Sequence, residues 1–194
     1  MSRPVLQIIA ASTRPGRKGI AIARWLEQVA REQDVFDVEL IDLAEVGLPL
    51  MDEPNHPRLR SYTHDHTRAW SATIARGDAY VFVTPEYNHS FPATLKNALD
   101  YLFAEWGDKP AGLASYGGVS AGLRSAAALK PVLTSLRMVP AVEAVSLPFA
   151  MAAVDAEGVY HPTEEATASA VAMLGELVRL DGVLRPGRAA AAGA

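Results

Sequence analysis

One segment near the amino terminus has the composition of a phosphate-binding loop. Residues 12–19 contain two hydroxyl side chains, three cations and two glycines, between a buried-strand pattern and a helical pattern. The exposed N–H groups and the dipole at a helix start favour an anion, and arginine can donate two parallel hydrogen bonds to phosphate oxygens. A polar turn with solvated charges is the alternative interpretation, and the position of the segment favours the phosphate site.

This segment differs from two better-known phosphate motifs. It has no G-x-G-x-x-G pattern, and Lys18 is followed by Gly19 rather than by serine or threonine. We therefore predict that it binds a terminal monophosphate rather than a pyrophosphate or a nucleoside triphosphate.

A second segment, residues 84–92, has the character of a rigid loop beside a flat ring. Pro85 and Pro92 restrict its backbone, and amide groups in such a loop can hydrogen-bond the edge of a heteroaromatic ring without a charged side chain. Tyr87 and Phe91 can instead be core or interface aromatics, and for Phe91 we favour that interpretation.

A third segment, residues 115–119, contains Gly117 and Gly118. Paired glycines allow either a close approach of the backbone to another group or a positive φ angle, and a flat ring is one candidate for that group. Ordinary turn chemistry is the alternative.

The three segments follow three predicted strands of an alternating pattern. Apolar and β-branched runs predict strands at 5–10, 38–43, 79–83, 111–115 and 139–145, and helical spacing of apolar residues predicts helices at 19–31, 62–76, from 92, 120–136 and 163–180. A proline-rich stretch, 47–57, is predicted to be a surface loop. This alternation predicts an α/β fold with a parallel sheet covered on both faces, because parallel neighbours need helical crossovers. Ligands of such sheets bind at the carboxyl ends of the strands.

Together, the three segments resemble the NADPH-dependent FMN reductase family, a flavodoxin-like group that includes quinone, azo-dye and chromate reductases. The resemblance rests on residues 12–17, on 85–88 continuing to 95–100, and on 115–118. It implies a three-layer flavodoxin-like sandwich with five parallel strands in the order 2-1-3-4-5 and helices on both faces.

The resemblance also implies an FMN site. The phosphate would be held by Ser12, Arg14, Arg17 and the amides near Gly19 and Ile20; the isoalloxazine ring would be bordered by Pro85, Glu86, Tyr87 and Asn88, with Ser115, Gly117 and Gly118 on the other side of the pocket. His89 is a candidate for the substrate pocket and otherwise a surface side chain.

The activity implied is transfer of hydride from NADPH or NADH through FMN to a small acceptor in a ping-pong sequence. Backbone amides and nearby positive charge would stabilise the reduced flavin, so no catalytic side chain is nominated and no metal is expected. The resemblance also implies a homodimer or a dimer of dimers.

Three alternatives remain. A G-x-S-x-G pattern around Ser120, with Asp155 and His161 downstream, is compatible with a serine esterase, although the spacing is short for that fold. A non-enzymatic FMN electron carrier is the second, and purely electron-carrying flavodoxins tend to be more acidic than this chain. A zinc site near His64 and His66 is the third, less favoured than a solvated loop.

Composition limits the remaining classes. The chain has 194 residues, 49% hydrophobic residues and a net charge of −4, which indicates one globular domain without affinity for nucleic acid. No apolar run is long enough for a membrane span, and the absence of cysteine is compatible with the cytoplasm, where we expect the protein to act. We expect residues 1–184 to form the FMN-binding domain and residues 185–194 to form a flexible tail.

Overall fold

A computed structural model describes residues 3–192 of the chain, with side chains described for residues 3–190. Its sheet contains the strands β1 (Val5–Ala10), β2 (Asp37–Asp42), β3 (Ala79–Pro85), β4 (Pro110–Gly117), β5 (Val139–Pro140) and β6 (Val145–Pro148). All the pairings are parallel, in the order β2-β1-β3-β4-β5, with β6 also pairing with β4. The predicted flavodoxin-like order 2-1-3-4-5 is therefore confirmed.

Helices connect these strands and cover both faces of the sheet. They are α1 (Gly19–Glu32), α2 (Leu43–Val46), α3 (Asp65–Ala75), α4 (Ala93–Asp100), α5 (Leu123–Ser135) and α6 (Glu164–Ala192), with short 3-10 turns at Pro57–Leu59, Ala104–Trp106 and Ala150–Ala153. On one face α1 and α6 bury residues such as Ile22 and Met173. On the other face α3, α4 and α5 bury residues such as Trp70, Leu99 and Leu129.

The prediction of one continuous strand at 139–145 is wrong. Only Val139–Pro140 and Val145–Pro148 are strands, and these pair with opposite ends of β4. Pro140 has no N–H to donate, and Val142 between the two segments is 83% exposed, so the chain leaves the sheet edge and returns.

The predicted end of the last helix at residue 180 is also wrong. Helix α6 continues to Ala192, through part of the segment expected to be a flexible tail, although Pro186 lies within it. Its extension is stabilised by Arg188, which pairs with Asp181 at 2.6 Å and with Asp78 at 3.2 Å. Residues 193–194 of the expected tail lie outside the described residues.

Among residues 3–192, no helix combines the length and the apolar character needed to cross a lipid bilayer.

Candidate functional site

The three segments singled out in the sequence meet in one crevice at the carboxyl ends of β1, β3 and β4. The crevice has a volume of about 360 Å³. Its walls are formed by Ser12, Arg14, Pro15, Gly16, Arg17, Lys18, Pro85, Glu86, Tyr87, Tyr116, Gly117, Gly118 and Met151. Parallel strands end at the same edge of the sheet, which explains why segments more than a hundred residues apart share this crevice.

The three cations of the first segment have different environments. Arg17 forms an ion pair with Asp42, and Lys18 Nζ donates to the carbonyl oxygens of Met151 and Val154, each at 3.2 Å. Arg14 is exposed, and its side chain makes no hydrogen bond with the residues that the structure describes. Arg14 and Arg17 can both reach an anion in the crevice, whereas Lys18 joins the first segment to the opposite wall.

Tyr116 forms the back of the crevice behind the start of α1. A Cβ atom added to Gly19 would lie 2.0 Å from Tyr116 Oη, so the glycine allows the helix start and the tyrosine ring to approach each other. Burial raises the pKa of the Tyr116 hydroxyl well above its usual range, so ionisation of this already neutral group is disfavoured further.

A hydrogen bond links the first and second segments across the crevice. The hydroxyl oxygens of Ser12 and Tyr87 lie 2.8 Å apart. Ser12 is buried and Tyr87 is 37% exposed, so the pair closes the inner end of the crevice and leaves the tyrosine ring at its opening.

The second segment forms a tight turn immediately after β3. Tyr87 and Ser90 exchange two backbone hydrogen bonds, of 2.8 and 3.0 Å, and both central residues, Asn88 and His89, have positive φ angles of 49° and 66°. Such turns favour asparagine, which tolerates the left-handed region. Asn88 and His89 are exposed at the tip of the turn and do not line the crevice.

The carboxylate of Glu86 anchors the start of α5. It accepts hydrogen bonds from the Arg124 amide at 3.1 Å, the Arg124 guanidinium at 2.7 Å and the Ser120 hydroxyl at 3.1 Å. Burial of this carboxylate acts to raise its pKa, but the donors from Arg124 and Ser120 outweigh that effect and lower it. Glu86 therefore stays ionised and holds the second and third segments together.

Of the two alternatives predicted for the glycines of the third segment, close approach applies to Gly117, where an added Cβ would lie 3.0 Å from the Gly122 nitrogen. Gly117 and Gly118 have no positive φ angle, whereas Gly122 has φ +78°, and a Cβ added there would lie 2.7 Å from the Tyr116 amide nitrogen. A Cβ added to Gly118 would meet no atom within 4 Å, so its open side faces the crevice. Gly122 is the position at which the turn requires glycine.

Four of the predicted site residues do not line the crevice. Ser115 is buried in β4 and donates to the Ala121 carbonyl at 2.9 Å, Gly19 and Ile20 lie in the first turn of α1, and Asn88 is at the turn tip. In the first turn of a helix the N–H groups have no intrahelical acceptor, so the amides of Gly19 and Ile20 keep their donor capacity.

Asp42, Tyr116 and Met151 adjoin the site but are not among the residues predicted for it. Asp42 lies near the carboxyl end of the strand predicted at 38–43, a position that could have identified it. Met151 lies beyond the quoted motifs, and nothing in its local sequence marks it.

The rival serine site has an Asp–His pair, as a catalytic triad needs, but its serine contacts a carboxylate and not that histidine. Ser120 Oγ donates to Glu86 rather than to an imidazole, and His161 Nε2 lies 2.7 Å from Asp155 Oδ2. His64 and His66 stack at 5.1 Å between ring centres, and both contact Asp52. Within residues 3–192, no group of three or more metal-ligating side chains is assembled.

The crevice is suited to a flavin mononucleotide. Arg17 Nε is buried and has no hydrogen-bond partner among the described residues, so a donor is available for a phosphate oxygen. The crevice extends from Arg17 to Pro85 and Tyr87 on one wall and Gly118 on the other, which gives room for a phosphate tail at one end and a flat ring at the other.

Comparison with known proteins identifies the family. A family model described as NADPH-dependent FMN reductase matches residues 5–152. The NAD(P)H-dependent FMN reductase of Schizosaccharomyces pombe is 41% identical over 149 residues, which are 75% of this chain and 74% of the relative. The 2-hydroxy-1,4-benzoquinone reductase of a Burkholderia species is 33% identical over 105 residues, 53% of this chain and 51% of the relative.

A solved structure supports the fold. FerB, a flavoenzyme NAD(P)H:(acceptor) oxidoreductase from Paracoccus denitrificans, superposes with a TM-score of 0.72 at 22% identity and covers 93% of this chain and 98% of that one. The resemblance inferred from the three motifs is confirmed by the family model and by the identity to the yeast reductase. The chain belongs to the NADPH-dependent FMN reductase family.

Proposed function

We propose that the crevice binds FMN and that the protein passes electrons from NADPH or NADH to small acceptors such as flavins, quinones and azo compounds. The observation that carries this proposal is the meeting of the three segments in a single crevice of about 360 Å³. The family assignment supports the cofactor pair, and the quinone reductase among the relatives supports the acceptor class.

In this proposal the phosphate end is held by the first segment. Ser12 and Arg14 reach the phosphate with their side chains, Arg17 donates through its buried Nε, and the amides of Gly19 and Ile20 donate from the helix start. The Tyr116 hydroxyl is neutral and adds no negative charge beside the phosphate, and burial raises its pKa further.

The ring end is bordered by the other two segments. Pro85 to Tyr87 form one wall and Gly117 and Gly118 form the other, with Glu86 fixing the distance between the walls through Arg124. Bound FMN would accept the hydride and deliver the electrons. The protein's own groups would bind and orient the FMN and stabilise its reduced form, and no side chain is assigned a proton transfer.

We infer the order of events from a crevice that both substrates would have to share. Because the nucleotide and the acceptor would both approach the ring through this crevice, we propose that they bind in turn, as in a ping-pong sequence. We also propose that residues 1–184 form the cofactor-binding unit and that the protein acts in the cytoplasm as a homodimer or a dimer of dimers. The absence of cysteine and the family relationship support these last points.

Purification without added flavin, followed by an absorbance spectrum and nucleotide oxidation assays, tests the proposal. We expect a flavin spectrum, or tight binding of added FMN, and oxidation of NAD(P)H with a quinone, an azo dye and free FMN as acceptors. FMN binding without nucleotide oxidation would identify an electron carrier. A colourless protein without affinity for FMN would contradict the proposal, and hydrolysis of an ester that stops in Ser120→Ala would favour the esterase.

A further inference from the structure

Asp42 lies beside the crevice but belongs to none of the three segments that form it. It is the last residue of β2, and its side chain is only 5% exposed. One carboxylate oxygen pairs with Arg17 Nη2, and the other accepts a hydrogen bond of 3.0 Å from the Ala44 amide at the start of α2. This carboxylate therefore connects the rigid end of a strand to a cation of the phosphate segment.

The contact with Asp42 leaves most of the Arg17 guanidinium available. A guanidinium has five N–H donors in a fixed planar arrangement, and in the described structure only Nη2 has an acceptor. Nε is buried without a partner, and the side chain lines the crevice at 23% exposure. Arg17 can thus bridge a carboxylate on one side and a phosphate on the other.

We propose that Asp42 is a positioning residue, which holds the Arg17 guanidinium at the crevice wall and so makes the site prefer phosphorylated FMN over riboflavin. The inference rests on the proposed function, since it assigns the source of phosphate selectivity in the same site. A flexible arginine loses rotamer freedom when it binds a ligand, and one already fixed by a buried ion pair loses less.

Asp42 has two opposite effects on the binding of a phosphate. Its negative charge repels a phosphate, and its ion pair orients the guanidinium that attracts the phosphate. The repulsion is offset because the carboxylate is paired with Arg17 and accepts the Ala44 amide, whereas a charge-assisted hydrogen bond from a fixed guanidinium is among the strongest polar contacts. Positioning therefore dominates, and loss of the carboxylate should weaken FMN binding.

Asp42→Asn tests this directly, because asparagine keeps an oxygen for the Ala44 amide but loses the charge that holds Arg17. Dissociation constants for FMN and riboflavin are measured with the full chain by quenching of flavin fluorescence. We expect the constant for FMN to rise about tenfold and that for riboflavin to stay within about twofold, the change expected from one impaired charge-assisted hydrogen bond.

Three further variants complete the experiment. Asp37→Asn, at the exposed opposite end of β2, is the matched control and should change neither constant. Asp42→Glu, which keeps the charge on a longer side chain, should lose less of the FMN preference. In an Arg17→Met background, Asp42→Asn should change the FMN constant no further, because the positioned group is gone.

The outcomes separate this inference from the proposed function. An unchanged ratio of FMN to riboflavin affinity in Asp42→Asn, equal weakening of both flavins, or tighter FMN binding would each overturn the positioning role. If Asp42→Asn does not fold, Arg17→Met decides, because it removes the guanidinium that Asp42 holds, and an unchanged ratio of FMN to riboflavin affinity there overturns the inference as well. A wild-type chain that binds no FMN overturns the proposed function and this inference together.

Discussion

Single residues at the crevice show how close packing and charge pairing shape the site. Gly19 leaves room for the Tyr116 hydroxyl, Gly122 adopts a positive φ angle, and Arg17 forms an ion pair with Asp42. The consequences of changing such residues depend on atoms only a few ångströms away, and they can be tested one at a time.

We expect Gly19→Ala to destabilise the protein by about 1–3 kcal/mol and to weaken FMN binding, because the new methyl group would overlap Tyr116 Oη at 2.0 Å. Thermal unfolding and flavin titration measure the two effects. Tyr116→Phe in the same chain should recover part of the loss, since it removes the nearest atom.

Gly175→Ala is the control for this change. An added Cβ at Gly175, on the exposed side of α6, meets no atom within 4 Å, so alanine should be neutral or stabilise by up to about 1 kcal/mol. Equal destabilisation by the two substitutions would contradict the role assigned to the Tyr116 contact.

At the scale of elements, the ends of helices are held by residues distant in sequence. The start of α3 is held by Glu53 in the proline-rich loop, which accepts from the amides of Thr63 and His64 at 2.8 and 3.0 Å. The end of α6 is held by ion pairs of Arg188 with Asp181 and Asp78. Neither connection follows from local periodicity.

The contacts of Glu53 predict a pH-dependent contribution to stability. Burial acts to raise the pKa of this carboxyl, but the hydrogen bonds from Thr63 and His64 lower it to about 2. Because the folded pKa lies below the unfolded value near 4.5, the stabilisation is complete above about pH 4.5 and is lost as the pH falls towards 2.

We therefore expect Glu53→Gln to lower the melting temperature by about 2–4 °C at pH 7, the shift for a loss of about 1 kcal/mol at this chain length. The difference in melting temperature between Glu53→Gln and wild type should become smaller between pH 5 and pH 2, as measured by thermal unfolding in matched buffers. Glu157→Gln, at an exposed turn, is the control and should melt like wild type. A difference that stays constant with pH would contradict this assignment.

Arg188→Ala tests the extended end of α6. The substitution leaves the carboxylate of Asp181, which is 5% exposed, with only Arg185 as partner, and we expect a loss of about 2 kcal/mol and a melting temperature lower by about 4–8 °C. Arg179→Ala on the same helix removes an exposed pair with Glu176, which solvent screens, and should leave the melting temperature close to that of wild type. If the end of α6 were frayed, Arg188→Ala would have the melting temperature of wild type, as Arg179→Ala should.

At the scale of the whole molecule, the parallel sheet gathers three loops at one edge, with a crevice between them. The proposal that nucleotide and acceptor share this crevice has a kinetic consequence. We expect initial rates at varied NAD(P)H and quinone concentrations to give parallel double-reciprocal lines, with inhibition at high concentrations of either substrate. Intersecting lines would show that both substrates bind at once and would contradict alternate occupancy.

Much of this architecture could be predicted from the sequence. Hydrophobic periodicity is a local property, so it identified β1, β3 and most helices, and turn residues and cations marked the three loops that line the crevice. The family resemblance supplied the strand order, which the parallel pairings confirm. Eight of the twelve predicted site residues line the crevice, because strand ends in a parallel sheet converge.

Tertiary structure decided the contacts between those local pieces. Asp42 pairs with Arg17, and Tyr116 packs against Gly19. Glu86, predicted to border the ring, also holds the start of α5 through Arg124. The interruption between β5 and β6 and the extension of α6 depend on sheet-edge pairing and on ion pairs with Asp78 and Asp181. Such contacts join residues tens of positions apart, and their geometry exists only once the layers have packed, so no local pattern encodes them.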